Sequence, residues 1–171
     1  MATGLQFISK DTITSSVASL SITDKFTTAY DIYMLNFSGF QGVSSSGSVK
    51  IQFIDNGGSA ITSTDYYYAN LLVDSTTTFT ETRSGTSDDI EYVPQYSTSF
   101  DGASGIMYVF NPVSTSAYTF VTFQGAGSFS TAFRGQKAIG LLHTVDSITG
   151  IKLNFSSSNV DSGQVSIYGV K

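Results

Sequence analysis

The sequence predicts an all-β protein, a single-domain antiparallel two-sheet sandwich of jelly-roll type, and three observations carry that expectation. Good helix formers are thin, while Thr, Ser, Gly, Tyr, Phe, Val and Ile dominate. Short segments alternate apolar and polar residues with period two. Clusters of Gly, Asn, Asp and Ser separate them at regular spacing, which is turn chemistry. At 171 residues the chain suits one domain over 1–171 with a two-layer core, residues 1–15 being expected as an N-terminal arm.

Taken in order, Ser16 to Thr23 places Val17 on one face and Leu20 and Ile22 on the other, which predicts a bulge or register change near Ala18 and Ser19. Tyr30 to Phe37 is apolar on both faces, Tyr30, Ile32 and Met34 against Tyr33, Leu35 and Phe37. Such a strand is either covered on both sides or lies at a subunit interface. Gly47 to Ile54 alternates cleanly, with Val49, Ile51 and Phe53 inward and Lys50 and Gln52 outward. Asp55, Asn56, Gly57 and Gly58 then predict a hairpin turn into Tyr66 to Val73. Asp74 to Asp89 reads as a loop in which Thr76 to Thr82 could form a short edge strand, and Ile90 to Val93 as a brief strand before Pro94.

Gly105 to Asn111 and Tyr118 to Gln124 are strong antiparallel strand candidates, whereas Gly125 to Gly135 reads as a glycine-rich loop pinned by two phenylalanines. Lys137 to His143 and Thr149 to Phe155 follow. In the last, Ile151, Leu153 and Phe155 alternate with Lys152 and Asn154. A turn over Ser156 to Gly163 and a final strand with Val165, Ile167 and Tyr168 predict a terminal hairpin that closes a sheet at its edge. The expected core includes Tyr108, Phe120 and Ile139 along with Val121, Phe123 and Leu141.

Charged residues make up only 12% of the chain, about half the usual share, so Ser, Thr, Asn, Gln and Tyr must supply the polar surface. A surface that repels so weakly suits a protein packed against copies of itself or a partner, and equally a secreted wall-surface protein. The net charge is −5, and the Lys and Arg residues are scattered singly with no basic stripe, which argues against nucleic acid as a partner. There is no cysteine, so thiolate metal sites and disulfides are excluded. No apolar run approaches the roughly 20 residues of a membrane helix, and the first residues lack a signal-peptide pattern. Synthesis in the cytoplasm, without membrane attachment, is the expectation.

Reactive groups are few. His143, with Asp146 three residues on, could be sketched as a base and its orienter, but it ends an apolar strand and no serine sits in a nucleophile elbow. Glu81 and Glu91 are the only glutamates available for paired-carboxylate chemistry. Asp88, Asp89 and Glu91, or Asp55 with Asn56, could offer oxygen ligands to calcium, though in a spacing that matches no ligand loop. No catalytic residue, metal or cofactor is therefore assigned, and a non-enzyme is expected. The recognition candidates are aromatic: Tyr66 and Tyr68, which share a strand face with Tyr67 on the other, and Tyr33 on the two-sided strand.

The ending TGIKLNFSSSNVDSGQVSIYGVK, with YDIYMLNFSGF, VKIQFIDNGGSAITSTDYYYA, GIMYVFNP and YTFVTFQ upstream, resembles β-sandwich virion structural proteins of tailed bacteriophages, marine and cyanobacterial ones especially. The resemblance implies a structural protein in a phage particle, made in the host cytoplasm. Two roles are compatible with it. The chain is either a capsid decoration or knob-like subunit bound to coat proteins, or a tail-fibre or receptor-binding module that grips host surface polysaccharide. The absence of any stalk, collagen-like repeat or heptad favours the first. Phage coat or tail proteins and further copies of the chain, a trimer among the candidate homo-oligomers, are the implied partners.

Overall fold

The computed structural model describes residues 4–76, 79–91, 94–98, 102–130 and 132–171. These form twelve strands and no helix: β1 (Leu5–Ile13), β2 (Ser19–Ile22), β3 (Ile32–Gly42), β4 (Gly47–Asp55), β5 (Tyr66–Asp74), β6 (Thr80–Ser87), β7 (Gln95–Tyr96), β8 (Ala103–Phe110), β9 (Thr119–Phe129), β10 (Ala132–Leu142), β11 (Ile148–Phe155) and β12 (Val160–Val170). Two antiparallel sheets pack into a sandwich. The larger has the order β1-β12-β3-β8-β9-β10-β5-β6, the smaller β2-β11-β4-β7.

The pairing is nested, β1 with β12, β2 with β11, β3 with β8 and β4 with β7. That is a hairpin rolled up into two four-stranded sheets, the jelly roll that the strand spacing predicts. The remaining strands enter as two insertions. β5 and β6 leave after β4, β9 and β10 leave after β8, and together they extend the β8 edge as a wing β9-β10-β5-β6. The sheets are therefore unequal, with eight strands against four.

Between them lies one core. Ile51, Phe53, Ile151 and Leu153 of the small sheet face Leu35, Phe37, Val109, Phe123, Val165 and Ile167 of the large one, all essentially inaccessible to water. The alternation of the strands at 47–55 and 148–155 puts these residues inward, as expected. Phe123 lies flat across Gly125 of its own strand and Gly105 of β8, where an added Cβ would come within 2.4 Å of its ring. Tyr96 is similarly seated over Gly42 and Gly47, and its hydroxyl is shared between the carbonyls of Ser156 and Ser158.

Several expectations are corrected. The expected arm at 1–15 contains β1, paired along its length with β12, and a bulge between Phe7 and Ser9 breaks the alternation that would have announced it. The turn after Asp55 makes only one further bridge, Ile54 with Ala60, before the chain crosses to the other sheet, so β4 and β5 are no hairpin. Residues 125–130 and 132–135 are mostly strand, the ends of β9 and β10, with Ser130 at φ 57° after β9, because Gly125 and Gly127 serve close packing and not turns. β6 runs Thr80–Ser87, later than the expected edge strand, of which residues 77 and 78 lie outside the described residues. Ile90 makes a single bridge to Ile51, and residues 92 and 93 of the brief strand expected there also lie outside them.

The ending is the largest revision. β11 belongs to the small sheet and β12 to the large one, so the turn between them is an arch over the end of the core and not a hairpin. β12 does not close an edge either, since it is held between β1 and β3.

Candidate functional site, the outer face of the large sheet

The small sheet and the connections packed with it cover one face of the large sheet. Among the described residues nothing is laid over the other. Because directly paired residues of antiparallel strands point to the same side, the ladders of this outer face can be followed from edge to edge. One runs through Phe7, Tyr168, Met34 and Tyr108 in the jelly-roll half, and through Thr122, Ile139, Ala69 and Arg83 in the wing. The adjacent ladder runs through Leu5, Val170, Ile32 and Phe110, then Phe120, Leu141 and Tyr67. Apart from Thr122 and the terminal Arg83, both are apolar or aromatic across their whole width.

Apart from Met34, which is buried, these side chains are in contact with water. Ile139 is 59% exposed, Phe120 42% and Tyr108 37%. All three belong to the core that alternation predicts, and the structure turns them outward, because their strands carry apolar residues on both faces and Val121, Phe123, Val109 and Ala138 take the inner one. Single exposed apolar residues are ordinary. A contiguous block of them on a flat sheet marks a contact surface.

The third ladder gives the block a polar border: Lys10, Ser166 and Asn36 on one side, Ile106, Gln124 and Lys137 in the middle, Leu71 and Glu81 at the β6 edge. Short side chains leave two shallow troughs in the face. One, of about 700 Å3, lies between Ile106, Tyr108 and Ile139 over Thr122. The other, of about 690 Å3, lies between Tyr67, Phe120 and Arg83 over Ala69 and Gly140.

At one end the aromatic surface continues through His143, whose ring stacks on Tyr67 at 4.7 Å and lies 5.1 Å from Tyr118. Among the described residues no hydrogen bond joins His143 to Asp146, so the sketched base and orienter are not assembled. His143 is instead a ring in an exposed aromatic row.

The tyrosines singled out from sequence are placed otherwise than expected. Tyr66 and Tyr68 do share a face, but it is the inner one. Tyr66 is fully buried, its hydroxyl accepting the Phe53 N–H at 2.8 Å and donating to the Ile61 carbonyl at 3.0 Å, and burial pushes that phenol well above its ordinary pKa. Tyr33 is buried as well, with its hydroxyl bonded to both backbone groups of Thr27. Neither can offer a ring to a partner. Tyr68 is half-buried against the core, and the exposed member of the triplet is Tyr67.

The acidic candidates are engaged elsewhere. The Lys50 ammonium contacts Glu91 and lies 3.4 Å from Asp89, so a lysine occupies the space a calcium ion would need. Burial pushes the Asp89 carboxyl up, and Lys50 only partly offsets it; the Lys50 ammonium is lowered by its own burial but held above its ordinary value by Glu91 and Asp89. Asp55 accepts the N–H groups of Gly57 and Ser59 at 2.8 and 2.9 Å, which makes it a turn cap. Among the described residues no cluster of three His, Asp or Glu side chains converges on a metal position. Glu81 lies on the outer-face border, away from Glu91.

Comparison with known proteins adds no identity. No protein family matches the sequence, and no curated protein matches it significantly. Tyr67, Tyr108, Phe120 and Ile139 were detectable in the sequence all the same: YYYANLLV, GIMYVF, YTFVTF and KAIGLL are, like the strand at 30–37, apolar at both parities. An antiparallel sheet with one polar, solvated face shows a clean alternation instead.

Proposed function

We propose that the chain is a non-enzymatic structural protein of a bacteriophage virion, a capsid decoration or knob-like subunit, and that it works by contact through the outer face of its large sheet. The observation that carries the contact role is the pair of largely apolar ladders on that sheet, one crossing all eight strands and the other seven. The virion setting rests on the resemblance of the strand phrases and of the ending. Low charge supports both, since a surface with few Lys, Arg, Asp and Glu side chains is inexpensive to desolvate against another protein surface. Labelled antibody on intact particles tests the reading. Label distributed over the capsid is the expected result, and absence from the particle overturns it.

The receptor-binding alternative is favoured by one observation, the exposed row Tyr67, His143 and Tyr118, whose flat rings could stack on sugars. Label confined to the tail tip, with glycan-array binding that disappears in Tyr67→Ala, would move the assignment there.

A further inference from the structure

We propose that two copies of the chain close face to face on this surface, as an isologous dimer whose two-fold axis runs along the strands between β8 and β9. The inference rests on the reading of the outer face as a contact surface, and it names a second copy of the chain as the occupant.

Size is the first argument. Eight strands about 4.8 Å apart and three ladders about 6.8 Å apart outline about 700 to 800 Å2, close to the roughly 800 Å2 per partner of a stable interface. The second is charge. A rotation about that axis exchanges the two halves of the sheet and leaves each ladder at its own height, so β1 of one copy comes over β6 of the other. Lys10 and Glu81 stand at opposite ends of the same ladder. Each therefore meets its opposite charge in the second copy, twice per dimer. By the same operation Arg83 comes over Phe7, a cation over an aromatic ring. Lys137 comes over Asn36, whose amide oxygen can accept from it.

Shape is the third argument. The operation sets Tyr168 of the second copy over Ala69 and Tyr108 over Thr122, so the projecting rings enter the two troughs, while Phe110 meets Phe120 at the axis. A crossing of about 30° displaces the facing β1 and β6 flanks by about 9 Å, so Lys10, Glu81 and Arg83 reach their partners only when fully extended, while Tyr108 over Thr122 and Phe110 against Phe120, beside the axis, shift by only about 1 Å.

The edges point the same way. β1 carries a bulge and Lys10; β6 carries Glu81 and Arg83 and borders a register shift in β5. These devices discourage strand-to-strand addition. The face has no such protection.

Sedimentation equilibrium of the purified full chain is the test. Twice the 18.2 kDa chain mass is expected, falling to the chain mass in Ile139→Lys with far-UV circular dichroism and thermal unfolding kept, because Ile139 contributes little to the core. Glu81→Lys should weaken association at least tenfold, and adding Lys10→Glu should restore it. A monomer at tens of micromolar, a trimer, a dimer indifferent to Ile139→Lys, or a charge swap that fails to restore association overturns the proposal. If the chain is monomeric yet binds capsids through Ile139, the dimer falls and the contact reading stands. If it is dimeric but missing from particles, the dimer stands and the virion setting falls.

Discussion

A tyrosine in a strand can anchor a core or display a ring, and Tyr66 and Tyr67 do one each. Alternation reveals that neighbours point to opposite sides, but not which side is wet when both are apolar. What decides it here is the hydroxyl: Tyr66 and Tyr33 reach backbone partners across the core that no local pattern reveals. Asp74 shows the same dependence on distant groups. Its carboxylate accepts the Thr76 N–H and hydroxyl, both at 2.8 Å, and the Arg134 guanidinium at 2.7 Å, which hold its pKa at about 2 against an ordinary 3.8. A carboxyl depressed in the folded state stabilises above its unfolded pKa and loses that contribution as pH falls. The difference in urea midpoint between the native chain and Asp74→Asn should thus be full above about pH 5, shrink as pH falls through the range between 3.8 and about 2, and vanish below about pH 2. A difference independent of pH would show that the ionised form is not the one the fold selects.

Strands were legible where apolar and polar residues alternate over several positions, as in 49–53 and 151–155, and blurred where a bulge or close packing intervenes. The Phe7 to Ser9 bulge hid β1. Glycines in β9 and β10 imitated a loop because glycine marks turns and tight contacts alike, and only the position of Phe123 separates the two uses. That distinction gives a paired prediction. In Gly125→Ala the new methyl would lie 2.4 Å from the Phe123 ring and 2.7 Å from the Ser104 carbonyl. Overpacking of this kind costs about 1 to 3 kcal/mol. Gly135→Ala, on a paired strand nearby with its nearest neighbours at 3.9 Å, should stay within about 0.5 kcal/mol of the native chain. Chemical denaturation of the two variants reads both, and equal stabilities would contradict the packing described for Phe123.

The fold class followed from composition and turn spacing, but the nested pairing could not, because β1 and β12 are partners from opposite ends of the sequence. For the same reason the ending looked like a hairpin: Ser156 to Asn159 is a turn either way, and whether it reverses within a sheet or arches between two depends on strands far upstream. The apolar outer face escaped the same reading, since Tyr108, Phe110, Phe120, Ile139 and Leu141 were counted as core. Truncation after Asn159 should unfold the whole molecule and not merely fray it, since removing β12 separates β1 from β3. Retention of the far-UV β signal and of a cooperative melt by that variant would count against the pairing. The placement of β12 also sets a clock. During synthesis, at about 5 to 20 residues per second, β1 must wait about 7 to 30 s for residue 160. For that interval β1 and one edge of β3 are open to strands of neighbouring nascent chains on the same message. Slower translation or lower temperature should therefore change the yield of native protein more than any single surface substitution, through what the first strand encounters before its own partner is made.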